Sequence, residues 1–181
     1  LKSITHPLRK DLPIFLGAEG PKNVAMTAEI ADGWLPLYYS PYRQEVYSDQ
    51  IKDAKPGFEI MQGITVIINE NVEEALVPLK HSLALYIGGM GAKSRNFHNE
   101  LVKRMGFEEA AERIQDLYLA GKKDEAMLAV PTELADEISL VGSVDRIKDR
   151  LNAWKETPVS SLLVSTRSLG ELRTFAELVL G

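Results

Sequence analysis

A strand, a glycine turn and a helix follow one another near the start of the chain, over residues 12–33. Residues 13–18 form a short apolar run with β-branched and aromatic members, which is typical of a strand covered on both faces. Gly20 and Pro21 end the run, because glycine adopts backbone angles closed to other residues and proline suits the first helical position. Small and apolar residues recur over residues 22–31 and predict a helix. A second apolar run follows, so the order favours parallel strands joined by helices.

The turn between this strand and this helix is also a candidate anion site. A helix N-terminus presents backbone N–H groups without intrahelical partners, together with the positive end of the helix dipole. Gly20 would allow a ligand to approach the backbone closely, and the N–H groups of Lys22 and Asn23 would point at it. The alternative is an ordinary strand-to-helix turn that binds nothing.

Composition narrows the classes of function. The chain has 181 residues, enough for one domain with a substantial core, and its net charge of -5 argues against a general nucleic-acid surface. No apolar run approaches the roughly 20 residues that span a bilayer, so no membrane partner is expected. The sequence contains no cysteine, which excludes disulfides, thiolate zinc sites and cysteine nucleophiles. That composition is compatible with a reducing compartment, and we expect a cytoplasmic protein.

The remaining segments continue the alternation of strands and helices. Residues 1–11, interrupted by Pro7, read as a connector. Three further strands are predicted over residues 34–37, 58–68 and 161–165, and helices over residues 43–54, 94–105, 107–120, 143–156 and 172–180. A long helical region is predicted to start at residue 72. Two short helices are expected at residues 122–130 and 131–138.

Four parallel strands make either a small open sheet or half of an eight-stranded barrel. The helical stretch of about residues 79–139 is too long for a simple crossover, so we interpret it as an insertion before the last strand. We expect a single, partial barrel domain over residues 1–181.

Three stretches of sequence resemble a known family. They are GAEGPKN followed by AEIADGWLP, then ALYIGGMGAKSRNFHNELVKRMGF with IQDLYLAGKKDEAMLAVP, and finally ISLVGSVDRIKDRL through SSLLVSTR. In this order they resemble the luciferase-like monooxygenase superfamily, and within it the actinobacterial branch of deazaflavin (coenzyme F420)-dependent oxidoreductases. The resemblance implies a (β/α)8 TIM-type barrel. This chain resembles its C-terminal half, strands five to eight, without the half that supplies the floor of the cofactor pocket and its cis peptide bulge.

The resemblance also implies a function. It predicts an oxidoreductase that transfers hydride between coenzyme F420 and a small-molecule substrate, and the fragment alone would be inactive. An FMN-dependent monooxygenase of the same superfamily is one alternative, and a non-catalytic half-barrel binding module is another. Half of a barrel would expose two sheet edges and an apolar helix face. We therefore expect a homodimer, or association with the missing half-barrel.

The family holds the phosphate arm of its cofactor in the turn after strand five. Carried onto matching positions, the cofactor-binding residues are Glu19, Gly20, Lys22 and Asn23. Glu19 would act through its backbone, because its carboxylate would repel a phosphate. No catalytic residue or proton donor is identified.

The resemblance places substrate contacts after strands six and eight. The residues are Tyr38, Tyr39 and Ser40, where tyrosine rings could stack or donate hydrogen bonds, and Arg167, which could bind an anionic group. Two alternatives stay open: one tyrosine packs under the following helix, and Arg167 forms a surface salt bridge.

The three histidines, His6, His81 and His98, show no metal-ligand spacing, so no metal site is predicted. His98 either faces the pocket or lies on a helix surface. Gly88 to Gly91 lack the preceding strand and the Lys-Ser/Thr position of a phosphate loop, and we interpret them as a helix break.

Overall fold

A computed structural model describes residues 4, 6 and 8–181, which form five strands and nine helices. The predicted connector therefore lies partly outside the described residues, Pro7 included. The strands are β1 Phe15–Gly17, β2 Gly33–Leu35, β3 Glu59–Ile68, β4 Ser139–Gly142 and β5 Ser161–Thr166. The helices are α1 Pro21–Ile30, α2 Glu45–Ile51, α3 Val72–Gly89, α4 Phe97–Arg104, α5 Glu108–Leu119, α6 Lys123–Leu128, α7 Thr132–Glu137, α8 Val144–Lys155 and α9 Leu169–Leu180.

The strands form one parallel sheet in the order β1-β2-β3-β4, with β5 also paired to β3. Thr65 and Val66 of β3 pair with β4 and with β5, so these two short strands lie along opposite edges of β3. The prediction of a parallel sheet alternating with helices is confirmed. The neighbours β1, β2, β3 and β5 follow chain order, as the C-terminal half of a (β/α)8 barrel requires.

The prediction of four strands is wrong, because β4 is a fifth. Ser139 and Gly142 leave only two apolar residues between them, too few for a strand pattern to stand out. The strand forms because it pairs with the carboxyl end of β3 and all four of its residues are buried. Tertiary contacts, rather than local preference, therefore create this element.

Several helix ends differ from their predicted positions by two or three residues, and side-chain caps explain two of the differences. The α4 helix begins at Phe97 because the Asn96 side chain accepts hydrogen bonds from the N–H groups of the first turn. Ser168 caps α9 in the same way, which starts that helix at Leu169 rather than at residue 172. The predicted cap at Ser143 is confirmed, since its hydroxyl accepts from the Arg146 N–H.

The side chains of β3 point alternately to two faces of the sheet. Ile60, Ile64 and Val66 are buried on one face, and Trp34 of β2 pairs with Ile60 in the same core. Gly63 and Thr65 lie on the opposite face, because side chains alternate along a strand. After β3, the long helical segment α3–α7 leads the chain to β4, which pairs with the carboxyl end of β3.

Trp34 connects this core to the end of β1. The indole is fully buried, stacks edge-on against Tyr47 with ring centroids 4.7 Å apart, and donates a hydrogen bond of 2.9 Å to the Ala18 carbonyl. Ala18 directly precedes the Glu19–Gly20 turn. The core therefore fixes the position where the turn begins.

Replacement of Trp34 by Phe should cost more stability than the same change at Trp154. Both side chains are buried, but the Trp154 indole makes no hydrogen bond with the described residues. The Trp34→Phe variant leaves the Ala18 carbonyl without its donor, which should lower the free energy of unfolding by about 1–3 kcal/mol beyond the Trp154→Phe variant. Urea unfolding of both variants measures the difference. Equal losses would contradict a role for the hydrogen bond.

Candidate functional site

The turn between β1 and α1 has extended geometry at Gly20. Its φ of -75° and ψ of 145° are open to any residue, so the prediction that this position needs a glycine-only conformation is wrong. A Cβ atom here would meet only the Phe97 ring, at 4.0 Å. Pro21 is the first residue of α1, as predicted. What Gly20 provides is open space beside the backbone.

The backbone N–H groups of the turn are only partly those predicted. The Asn23 N–H donates to the Gly20 carbonyl at 3.0 Å, so it is not available to a ligand and that part of the prediction is corrected. The N–H groups of Glu19, Gly20 and Lys22 form no hydrogen bond with any residue that the structure describes. The side chains of Lys22 and Asn23 are exposed.

Two carbonyl groups of the turn are held by side chains from other elements. Trp34 donates to the Ala18 carbonyl, and the Arg104 Nη2 donates to the Glu19 carbonyl at 2.9 Å. A trans peptide points its N–H opposite to its C=O, so the N–H groups of Glu19 and Gly20 face away from these donors. Both N–H groups lie next to the N-terminus of α1, which favours an anion.

The Glu19 side chain lies against α4. Its Oε2 is 3.4 Å from the Nδ1 of His98, and both atoms are inaccessible to solvent and without a hydrogen bond to the described residues. The Nη1 of Arg104 is in the same condition. His98 therefore lies beside the predicted cofactor turn and not on an exposed helix surface.

Tyrosine rings separate this charged cluster from a cavity. The ring of His98 meets Tyr86 and Tyr38 edge-on, with centroids 5.0 and 6.3 Å apart respectively. Tyr38 and Tyr86 also line a cavity of about 360 Å³ between β3 and α3. Its other lining residues are Leu37, Gly63, Thr65, Ile67, Pro78, Leu79, Ser82, Leu83, Ile138 and Arg167.

The cavity combines apolar walls with a few polar groups, which is typical of small-molecule sites. Burial raises the pKa of Tyr38 above its usual range, and the neighbouring Tyr86 and Glu19 raise it further. The phenol therefore stays protonated at neutral pH and can donate a hydrogen bond. At Gly63, a Cβ atom would meet nothing within 4 Å, so the strand backbone is open to the cavity.

Arg167 lies at the end of β5 and contacts both the cavity and Glu171. Its Nη2 is 2.7 Å from the Glu171 Oε1, and its backbone N–H donates to Oε2 at 2.9 Å. The hydrogen bond from Arg167 lowers the pKa of Glu171, and the same bond raises the pKa of Arg167. The predicted salt bridge is thus present, while the guanidinium still lines the cavity.

Tyr39 and Ser40 are in the core, which corrects their assignment as substrate contacts. Tyr39 is 1% exposed and stacks on Tyr47 with centroids 5.8 Å apart, on the α2 side of the sheet. The Ser40 hydroxyl donates to Glu137 at 2.8 Å and is buried. Of the two tyrosines, Tyr39 is the one that packs under the following helix, because consecutive residues point to opposite sides of an extended segment.

Residues missed by the sequence reasoning include Arg104, Tyr86, Ser82 and Thr65. All but Thr65 lie in the helical segment, where spacing alone does not reveal which face meets the turn or the cavity.

Among the described residues there is no group of three or more potential metal ligands. No helix in the same part of the chain is long and apolar enough to cross a membrane.

Comparison with known proteins fits this arrangement. The family model for luciferase-like monooxygenase matches residues 1–161. The chain belongs to the luciferase-like monooxygenase family. It is 42% identical, over 99% of its length, to a Mycobacterium tuberculosis protein named as a candidate coenzyme F420-dependent oxidoreductase. It is 23% identical over 86% of its length to a 5,10-methylenetetrahydromethanopterin reductase of Archaeoglobus fulgidus.

Two solved structures share the fold of this chain. The F420-dependent tetrahydromethanopterin reductase of Methanopyrus kandleri superimposes with a TM-score of 0.63 over 93% of this chain, at 20% identity. An F420-dependent secondary alcohol dehydrogenase gives a TM-score of 0.64, also over 93% of this chain, at 12% identity. The chain spans 54% and 48% of the two curated relatives, and 49% and 48% of these two structures. It therefore corresponds to about half of the luciferase-like barrel.

The free energy of unfolding at alkaline pH should depend on buried Tyr39 but not on an exposed tyrosine. Burial raises the pKa of Tyr39 to about 12, so its contribution to stability is complete below the pKa of about 10 in the unfolded chain and is lost as the pH rises toward 12. The Tyr39→Phe variant should therefore lose about 1 kcal/mol less than the wild type in free energy of unfolding between pH 8 and pH 11. Urea unfolding at both pH values measures this, and Tyr42→Phe, at an exposed ring, should behave like the wild type. Identical pH dependence in both variants would contradict the burial of Tyr39.

Proposed function

We propose that this chain is part of a coenzyme F420-dependent oxidoreductase acting on a small organic substrate. The observation that carries the proposal is the set of N–H groups of Glu19, Gly20 and Lys22 at the N-terminus of α1, which form no hydrogen bond with the described residues. A cavity lies at the carboxyl end of the same sheet. Coenzyme F420 would supply the hydride chemistry, since a deazaflavin ring accepts or donates hydride when it is bound. The names of the Mycobacterium tuberculosis relative and of the two solved structures support this cofactor.

The turn fits an anionic arm of such a cofactor. Three backbone N–H groups without partners among the described residues would donate hydrogen bonds to a phosphate, and the exposed Lys22 side chain would add a positive charge. The Asn23 N–H takes no part, so Asn23 would contribute only through its exposed side chain. The Glu19 side chain is turned toward His98, and its backbone N–H is what we assign to the site.

The cavity would receive the substrate and exclude water from it. Its walls are mostly apolar, and Tyr38 offers a protonated hydroxyl as a hydrogen-bond donor. Arg167 would orient an anionic or carbonyl group at the cavity rim, with Glu171 holding the guanidinium in place. Neither residue is assigned a proton-transfer step.

The rest of the site would come from outside this chain. Leu163 is 50% exposed on the sheet face that carries Gly63, and Val179 and Leu180 are exposed on α9. In a barrel these surfaces face the other four strands and their helices. We propose that this chain associates with that half, or with a second copy of itself, and that hydride transfer requires the association.

A half-barrel that only binds small molecules is the second candidate, favoured by the cavity being present without the other half.

Association of the chain can be tested directly. We expect light scattering over a range of concentrations to give a mass above that of one 20.1 kDa chain, because the sheet edges and apolar surfaces would otherwise stay exposed to water. The Leu163→Lys variant should shift the protein toward the monomer, while Leu128→Lys, at an exposed position on α6, should not. A wild-type monomer at every concentration would contradict the half-barrel proposal.

Replacement of Gly20 by Ala tests the cofactor turn. The backbone angles at Gly20 suit alanine and the new Cβ would meet only the Phe97 ring at 4.0 Å, so folding should be unchanged. The methyl group would occupy the open space beside the N–H groups. We expect the affinity for coenzyme F420 to fall about tenfold, followed by cofactor fluorescence. The control is Gly170→Ala, near the start of α9 and away from the turn.

The same titration with FMN separates the two cofactors. Binding of F420 with little or no binding of FMN supports the proposal. Tight binding of FMN with no binding of F420 would assign the chain to the FMN-dependent alternative. Binding of small molecules by the cavity with neither cofactor bound would favour the non-catalytic module.

A further inference from the structure

We propose that α4 positions the cofactor turn, with Arg104 fixing the Glu19 carbonyl and His98 holding the Glu19 carboxylate away from the bound anion. This inference rests on the proposed function, because it concerns the same turn. It assigns to the helical segment between β3 and β4 a part in anion binding, although His98 and Arg104 lie 79 and 85 residues after Glu19 in the sequence. His98 and Arg104 are positioning residues in this account, since they contact Glu19 rather than the ligand.

The contacts between α4 and the turn are few and specific. The Arg104 Nη2 donates to the Glu19 carbonyl at 2.9 Å, and the His98 Nδ1 lies 3.4 Å from the Glu19 Oε2. A Cβ atom at Gly20 would meet the Phe97 ring at 4.0 Å. No side chain within the turn caps α1. The orientation of the Glu19–Gly20 peptide is therefore set by Arg104, and with it the direction of the Gly20 N–H.

Charge explains why Glu19 must be held. A carboxylate in an anion-binding turn repels the anion, and the repulsion is stronger at a site that excludes water. The Glu19 Oε2 is inaccessible to solvent, so protein groups rather than water surround this oxygen. The titratable and charged groups that surround it are His98 and Arg104 on α4, Tyr86 on α3, Tyr47 on α2 and Tyr38 in the loop after β2.

His98 and Arg104, the two residues of α4 that contact Glu19, have different roles. Arg104 is always charged and fixes the backbone of Glu19, whereas His98 meets its carboxylate. Tyr38 and Tyr86 pack edge-on against the imidazole and restrict its rotation. Loss of His98 would therefore release the Glu19 side chain toward the turn, while loss of Arg104 would release the peptide plane as well.

A substitution cycle at Glu19 and His98 tests the proposal, with inorganic phosphate as the probe and the Lys22 amide as the NMR reporter. We expect His98→Gln to weaken phosphate binding about tenfold, because the released carboxylate repels the anion. Glu19→Gln in the same background should restore the affinity to the wild-type level or above. A merely structural role for the pair would make the double variant no better than the single one.

Three controls accompany the cycle. His81→Gln, at an exposed position on α3 whose Nδ1 contacts only the Val77 carbonyl of its own helix, should leave phosphate affinity unchanged. Arg104→Lys should retain more affinity than Arg104→Gln, since lysine keeps one donor and the charge. Thermal unfolding of every variant identifies any that does not fold. If a His98 variant does not fold, the comparison of Arg104→Lys with Arg104→Gln still tests whether α4 positions the turn.

The outcomes separate this inference from the proposed function. Phosphate binding by the wild type with equal affinity in the His98→Gln variant would overturn the inference alone. Failure of Glu19→Gln to restore binding in that background would do the same. Absence of any response at the Lys22 amide in the wild type would overturn the cofactor turn itself, and the inference with it.

Discussion

The hydrogen bond from the Trp34 indole to the Ala18 carbonyl is the interaction on which the rest of the structure depends. It joins the most buried part of the core to the first residue of the turn, so the packing of β2 is transmitted to the start of α1. The Glu19 carbonyl, one residue on, accepts a hydrogen bond from Arg104 of α4. Two adjacent peptide planes are thereby fixed by side chains far apart in sequence, and neither plane has to be held by a local cap. The N–H groups of Glu19 and Gly20 are therefore held in place while they form no hydrogen bond with the described residues.

Much of the fold follows from local sequence signals. Three of these signals are the long apolar run that forms β3, Pro21 at the start of α1 and the Ser143 cap of α8. Parallel pairing follows in turn, because strands that alternate with helices return in the same direction. Placement of the chain in the luciferase-like family comes from longer stretches of sequence than any one of these signals provides.

The details that sequence could not give are those that depend on distant contacts. β4 exists because β3 offers it an edge, and Tyr39 is buried while Tyr38 lines the cavity because adjacent side chains point in opposite directions. The Asn23 N–H is lost to a hydrogen bond with Gly20, a choice of turn geometry that residue type does not reveal. His98 and Arg104 lie about 80 residues from the turn, so no local pattern connects them to it.

The helical segment is anchored on both sides of the candidate site, and this gives it more than a covering role. At one end α4 holds the Glu19 turn. At the other, Arg43 from the loop before α2 binds Glu137 of α7 at 2.7 Å and the Met105 carbonyl at 2.8 Å. Tyr38 lies between the charged cluster and the cavity, in contact with both His98 and Tyr86. Any displacement of the segment would therefore change the anion turn and the cavity together, because the same tyrosine wall bounds them.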